Sequence, residues 1–348
     1  MAYTDIDKPT DYFETTTYAG GTTSITSLDF SPDWVWAKKR TGAENHGIFD
    51  SVRGATKTIN SNTTSAETTR GGSLTSFDSN GWSMGGADGI ISASGNDYVA
   101  WAWRGSDSSA VSNTDGSITS TVSANTTSGF SIVKFTGTGS VATVGHGLGV
   151  APDWYVVKRY NGGDGGQWNA YHSSLGATKF MLLNSTSASQ TSGTRWNNTE
   201  PTSSVFTVNT SGDVNDSGDL HIAYCFAEKK GFSKFGSYTS NGVSGNGSFT
   251  YLGFKPAFVI HKRTDSAGDW RSWNNKADAF NQNNKSLFPN TSDSEYDTTA
   301  VGVDFLSNGI KWRQTDTVNN NPSGGTFIYM AFAENPFVTS TGIPTTAR

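Results

Sequence analysis

Thr326-Phe327-Ile328-Tyr329-Met330-Ala331-Phe332-Ala333-Glu334 decides the fold, because relatives of this run stand at two earlier places in the chain. The closer one is Leu220-His221-Ile222-Ala223-Tyr224-Cys225-Phe226-Ala227-Glu228, and the other is Asp97-Tyr98-Val99-Ala100-Trp101-Ala102-Trp103-Arg104. Near its end each run alternates a bulky residue with a small one: Trp101-Ala102-Trp103, Tyr224-Cys225-Phe226 and Met330-Ala331-Phe332. A period of two marks a β-strand with a packed face. Recurrence at such distances marks an internal repeat.

A second shared element lies upstream of each run. Pro32-Asp33-Trp34-Val35-Trp36-Ala37-Lys38-Lys39 matches Pro152-Asp153-Trp154-Tyr155-Val156-Val157-Lys158-Arg159, and the third version is Pro256-Ala257-Phe258-Val259-Ile260-His261-Lys262-Arg263. Proline suits a strand start because it has no N–H to give to a ladder. Each copy also opens on an aromatic, at Phe13, Phe130 and Phe232, followed by a Gly-rich turn. Gly54-Ala55-Thr56-Lys57 recurs as Gly176-Ala177-Thr178-Lys179 and aligns with Asp278-Ala279-Phe280-Asn281 in the third copy. Asn80-Gly81 and Asn308-Gly309, between apolar flanks, are hairpin-turn signals.

These marks predict an all-β chain of three tandem, divergent β-sandwich domains, jelly-roll-like, of about 100 residues each. The expected boundaries are 1–105 for the first copy with an N-terminal arm, 130–231 for the second, 232–337 for the third and 338–348 for a tail. Residues 106–129, rich in Ser, Thr and Asn, are either a linker or an edge strand. The repeat leaves open whether the copies form a rod or close into a pseudo-threefold body.

Composition agrees with this class. Among 348 residues only 16% are charged, against roughly 25% in an average soluble protein. Ser and Thr make up about a quarter of the chain and Gly numbers 40, which suits turns and sheet surfaces. Disorder is argued against by 11 Trp, 20 Phe and 12 Tyr. The net charge of -5, without a basic cluster, makes nucleic acid an unexpected partner. No run approaches the roughly 18 apolar residues of a membrane span, and the N-terminal residues do not read as a secretion signal, so synthesis in a cytoplasm is expected. The lone Cys225, in an apolar strand, reads as a buried small hydrophobe.

Several further stretches are specific. Met1-Ala2-Tyr3-Thr4-Asp5-Ile6-Asp7-Lys8-Pro9, Phe49-Asp50-Ser51-Val52-Arg53-Gly54-Ala55-Thr56-Lys57, Asn113-Thr114-Asp115-Gly116-Ser117-Ile118 and Val144-Gly145-His146-Gly147-Leu148-Gly149-Val150-Ala151-Pro152 are among them. Together they resemble a family of uncharacterised virion structural proteins encoded by marine bacteriophages, and the likeness covers nearly the whole chain. The resemblance implies a virion surface component, most readily a tail- or head-fibre or other appendage in contact with the host. The alternative role is a capsid decoration or connector protein. With that role go the expected partners, other virion proteins and a host-surface glycan or protein, and an expected homo-oligomer such as a trimer; the resemblance itself implies only the role. It names no catalytic residue.

The residues by themselves point to no enzyme, cofactor or metal. No two of His46, His146, His172, His221 and His261 share the spacing of a zinc site, and His146 between glycines reads as a turn residue. Asp213-Val214-Asn215-Asp216-Ser217-Gly218-Asp219 has the oxygen density of a calcium loop but lacks its closing Glu, so a plain loop is expected. Asn161-Gly162-Gly163-Asp164-Gly165-Gly166 lacks the Lys-Ser/Thr of a phosphate loop and reads as a mobile surface loop. The basic pairs Lys38-Lys39, Lys158-Arg159 and Lys262-Arg263 read as solvated strand ends, with an ion-pair seam to a neighbouring domain or subunit as the alternative. Trp168, Trp196, Trp270 and Trp273, flanked by Asn and Arg, are the candidates for stacking on a sugar, against core packing as the plainer role.

Overall fold

The three closing runs are strands, Asp97–Trp103, Leu220–Phe226 and Thr326–Pro336, and each is packed on both faces. The computed structural model describes residues 3–106, 108–162, 165–278, 280–314 and 321–345. The fold is all-β and the named strand pairs are antiparallel. One strand order occurs three times. In the first copy the opening strand Phe13–Ala19 pairs with the closing strand, which pairs with the Pro-initiated strand Trp34–Lys39, which pairs with a third strand Gly47–Asp50. In the second copy the same positions are held by Phe130–Thr136, Leu220–Phe226, Trp154–Arg159 and Asn169–His172. In the third they are held by Ser233–Thr239, Thr326–Pro336, Phe254–Arg263 and Arg271–Asn274.

A smaller sheet covers one face of each four-strand unit. It consists of Ser24–Ile25, Gly81–Met84 and Leu74–Asp78 in the first copy, Ala142–Gly145 and Val205–Val208 in the second, and Phe249–Tyr251, Gly309–Trp312 and Val303–Leu306 in the third. The two expected hairpins are present, but their two-residue turns are Ser79-Asn80 and Ser307-Asn308. Gly81 begins the returning strand at φ +152, and a Cβ there would lie 1.9 Å from Ile25 O. Residues 106–129 carry two strands, Val111–Asn113 and Ser120–Asn125, that extend the second copy's sheet beyond its opening strand.

The alternation of bulky and small residues divides the closing strands between two cores. Ala100 and Ala102 face the first copy's own small sheet, as do Ala223 and Cys225 in the second and Ala331 and Ala333 in the third. The bulky partners Trp101 and Trp103, Tyr224 and Phe226, and Met330 and Phe332 face the other way, into one cluster shared by all three copies. At its centre Trp103, Phe226 and Phe332 touch mutually, with ring centroids 6.2, 5.4 and 5.8 Å apart. Trp34 and Trp36, Trp154 and Val156, and Phe258 and Ile260 add the next layer from the Pro-initiated strands. The copies therefore close around a pseudo-threefold axis. Each four-strand sheet lies between a private core and the common one.

The third copy begins differently from the sequence alignment. Its opening strand starts at Ser233, which stands opposite Phe332 as Phe13 stands opposite Trp103 and Phe130 opposite Phe226. Phe232 reaches the common core from the turn before the strand, where Gly231 takes φ +77, and Phe235 supplies the aromatic two residues later.

The next-to-last residue of each Pro-initiated strand is a lysine that is buried, not solvated. Lys38 Nζ donates to Ser292 O of the third copy at 3.3 Å and to Lys39 O at 2.8 Å. Lys262 Nζ donates to Thr186 O of the second copy at 3.2 Å and to Arg263 O at 2.9 Å. Lys158 Nζ donates to Thr64 O of the first copy at 2.7 Å and to Gly166 O. The three contacts run first to third, third to second and second to first, so they form a closed ring. The strand-end reading fails because the neighbouring copy, not water, covers these positions. Gly165 and Gly166 belong to the same seam: a Cβ on Gly165 would meet Thr64 O at 2.2 Å. This part of the glycine run is thus an inter-copy contact, while Gly163 and Asp164 lie outside the described residues.

Two outcomes follow from this packing. Calorimetry should show one unfolding transition, and Phe332→Ala should lower stability by about 3–5 kcal/mol while keeping that single transition. Separate transitions would mean that the copies hold together independently. The second outcome concerns pH. Burial lowers the three amines from their ordinary range, Lys38 and Lys262 to about 8 and Lys158 to about 7. Between these values and the unfolded value of 10.5 the unfolded chain binds more protons, so stability should rise as pH goes from 7 to 9. Melting temperatures across that range test the sign, and Lys158→Met should flatten the rise.

Candidate functional site

The four sequence-predicted Trp candidates are all buried, at 1% exposure or less, so none can stack on a ligand. Their polar neighbours misled because strand residues alternate faces and turn residues satisfy each other. Asn169, next to Trp168, is itself buried and accepts from Arg195 at 2.8 Å. Trp168 Nε1 donates to Asn60 O of the first copy at 2.8 Å, and Trp270 Nε1 donates to Leu182 O of the second at 2.9 Å. In the first copy His46 replaces these indoles, with Nε2 2.9 Å from Phe288 O of the third copy. Its Nδ1 accepts from Trp36 Nε1 at 2.9 Å, so the proton sits on Nε2 and is donated to the carbonyl. These residues form a second ring of inter-copy bonds. Trp196 packs edge-on against Tyr155, and Trp273 packs edge-on against the stacked His261 and Trp312, within the private cores.

The other polar motifs are also engaged. Asp213 accepts from Gln167 N and Arg195, Asp216 from Arg159, and Asp219 from Arg159 and Asn161. The oxygen-rich loop is therefore tied to guanidinium groups, and no group of three or more potential metal ligands occurs among the described residues. All five His are buried, and burial lowers each of them, His172 and His221 to about 4. His146 sits in its turn between Thr202 O and Leu148 N. Cys225 is buried, and burial raises its thiol well above the ordinary range.

The structure instead places an open groove of about 730 Å³ on the third copy. Its origin is a difference in loop length. The connection from the third strand to the next lysine is six residues in the first copy (51–56, before Lys57) and six in the second (173–178, before Lys179). In the third copy it is ten, 275–284, before Lys285. Lys285 thus holds the place of Lys57 and Lys179, and the sequence alignment of Asp278–Asn281 with Gly54–Lys57 is corrected by four inserted residues; Ala279 itself lies outside the described residues. In the second copy the short connection plugs the sandwich end with buried Ala177, and Ala55 packs similarly in the first. The longer loop carries Phe280, 80% exposed, at the rim.

A change at the strand ends accompanies the longer loop. In the first two copies the aspartate after the proline accepts from the backbone leaving the closing strand: Gly105 N to Asp33 at 2.8 Å, Glu228 N to Asp153 at 2.8 Å. Ala257 stands there in the third copy. Glu334, near the end of the closing strand, pairs with Lys255 at 3.0 Å and accepts from Asn275 Nδ2 at 3.1 Å. The second carboxylate of the groove, Asp278, accepts from Asn284 N and Lys285 N at 2.7 and 3.0 Å. Two acidic and two basic residues line the groove (Asp278, Glu334, Lys255, Lys276), so their charges balance. The remaining polar lining is mostly side-chain amides, from Asn275, Asn281, Asn283, Asn308 and Asn335. Asn275 Oδ1 and Asn283 Oδ1 are buried without a protein donor. With both carboxylates held in place, the groove is equipped to hydrogen-bond a ligand.

The inter-copy indole ring makes a separate prediction. Trp168→Phe keeps an aromatic ring but removes the donor to Asn60 O and part of the buried indole, and should cost at least about 1–3 kcal/mol in chemical denaturation. A change within a few tenths of a kcal/mol would show that this bond adds nothing to the seam.

No curated protein sequence and no solved structure matches the chain. Residues 8–336 match a family described as Domain of unknown function (DUF7483), so the chain belongs to that family.

Proposed function

We propose that this protein is a non-enzymatic component of a bacteriophage virion that contacts the host surface through the groove of its third copy. The observation that carries the reading is the break in the repeat. Three copies build one closed scaffold on a common aromatic core, and only the third lengthens the 275–284 connection, beside an open polar groove. A scaffold closed in this way holds the groove in fixed geometry. Weak contacts from many copies on one particle would then add through effective concentration. The likeness to phage virion proteins supports the setting.

A specific observation favours the architectural alternative of a decoration or connector protein. Tyr3, Tyr251, Phe337 and Ile343 are exposed near the meeting chain ends, where Ser340 bonds Asp7 and Phe337 N donates to Gly253 O. Exposed apolar groups of this kind suit contact with another protein.

Cryo-EM or immunogold labelling of virions with and without the protein tests both readings. Projecting density with the third copy outermost is the expected result. Density lying flat on the particle or buried in a junction would overturn host contact in favour of the architectural role, and absence from the particle would overturn both.

A further inference from the structure

We infer that the groove of the third copy is a binding site for an uncharged saccharide. The inference rests on the reading of this groove as a binding site, and it does not depend on where the protein sits on a particle. Three features select the ligand class.

The first is charge. Lys255 is paired with Glu334 at 3.0 Å and Asp278 with Lys285 at 3.5 Å, so both lining carboxylates are engaged against a cationic ligand, and Lys276 is the one lining cation outside these pairs. A ligand rich in hydroxyl groups needs no free charge.

The second is the amide lining. An Asn side chain has a carbonyl acceptor and an NH₂ donor, and a sugar hydroxyl can both donate and accept, so the two chemistries pair in either direction. Asn281 is bonded at both ends to the Phe305 backbone, which leaves the other four amides to a ligand. Asn275 Oδ1 and Asn283 Oδ1 have no protein donor, although Asn283 is only 3% exposed. A buried acceptor left unmatched costs about 1–3 kcal/mol, which a ligand hydroxyl would recover.

The third is Phe280, which projects from the inserted part of the loop with nothing covering its ring. A phenyl face at the lip of a polar groove suits the C–H face of a pyranose, whose apolar side leaves its hydroxyls directed at the amides. The first two copies lack both the inserted residues and the exposed ring, so one site per chain is expected.

The test uses the purified full-length chain against a panel of neutral, acidic and phosphorylated oligosaccharides, followed by saturation-transfer NMR with the best binder. Binding of neutral sugars is expected, with contact at Phe280 and with affinity weakened about tenfold or more by Phe280→Ala. Asn335→Ala should also weaken it, whereas Phe249→Ala, another exposed aromatic of the same copy, should leave it unchanged. Phe280→Ala removes an exposed side chain, so circular dichroism and melting should match the parent. Preference for acidic or phosphorylated sugars would overturn the ligand class. Neutral-sugar binding that survives Phe280→Ala and Asn335→Ala would overturn the site. If no saccharide binds at tens of millimolar, the inference fails even where whole cells are bound, and host contact would then stand on another ligand. If sugars bind as expected but the protein is absent from virions, the inference stands and the proposed location falls.

Discussion

The contact of Trp103, Phe226 and Phe332 is the constraint on which the rest of the molecule depends. Each ring comes from the equivalent position of a closing strand, and each closing strand is central in its sheet, between the opening and Pro-initiated strands. For three such rings to meet, all three sheets must turn the same face to one axis. Their opposite faces then need covers of their own, which the smaller sheets provide. The small residues between the aromatics let those covers approach. Some ring polarity is sacrificed in the process: Trp34, Trp101, Trp103 and Trp154 bury indole N–H groups with no acceptor. The burial of their large ring areas offsets that cost.

Around this centre the inter-copy bonds repeat with changes of chemistry. The lysine ring uses the same residue type three times. Its amines each meet two carbonyls, which a neutral amine can satisfy as donor, in keeping with their lowered affinity for protons. The indole ring tolerates a substitution, since the protonated nitrogen of His46 delivers the same donor as Trp168 and Trp270. Divergence of the copies has therefore kept the direction of each bond and, in the indole ring, changed the group that makes it. Elsewhere the repeat relaxes. The ten-residue connection of the third copy, with Ala257 in place of the aspartate of the other two, is such a place.

Much of this was legible in the residues. The alternation in the closing runs, the proline starts and the Asn-Gly turns identified an all-β chain and the repeat that organises it, because side-chain period and turn chemistry are local properties. The same runs did not reveal that both faces are packed, since period two specifies two faces and not what covers each. Lys38, Lys158 and Lys262 read as solvent-facing because a lysine is rarely buried, and only the neighbouring copy's carbonyls make it possible here. The Trp candidates failed for a related reason. A polar flank describes the adjacent side chain, and in a strand that side chain points the other way. The groove had a faint signal, the failure of Asp278-Ala279-Phe280-Asn281 to resemble its counterparts, but an alignment without gaps hid the four inserted residues.

The sequence by itself determined the all-β class and the recurring strand motifs, because these follow from patterning over a few residues at a time. The tertiary structure alone decided that the copies close on one another and that the conspicuous tryptophans are internal. It also placed an open polar groove on the third copy. Those outcomes depend on which surfaces meet across more than 200 residues of chain, as Trp103 and Phe332 do, and no local pattern encodes which of two packed faces another part of the molecule will cover.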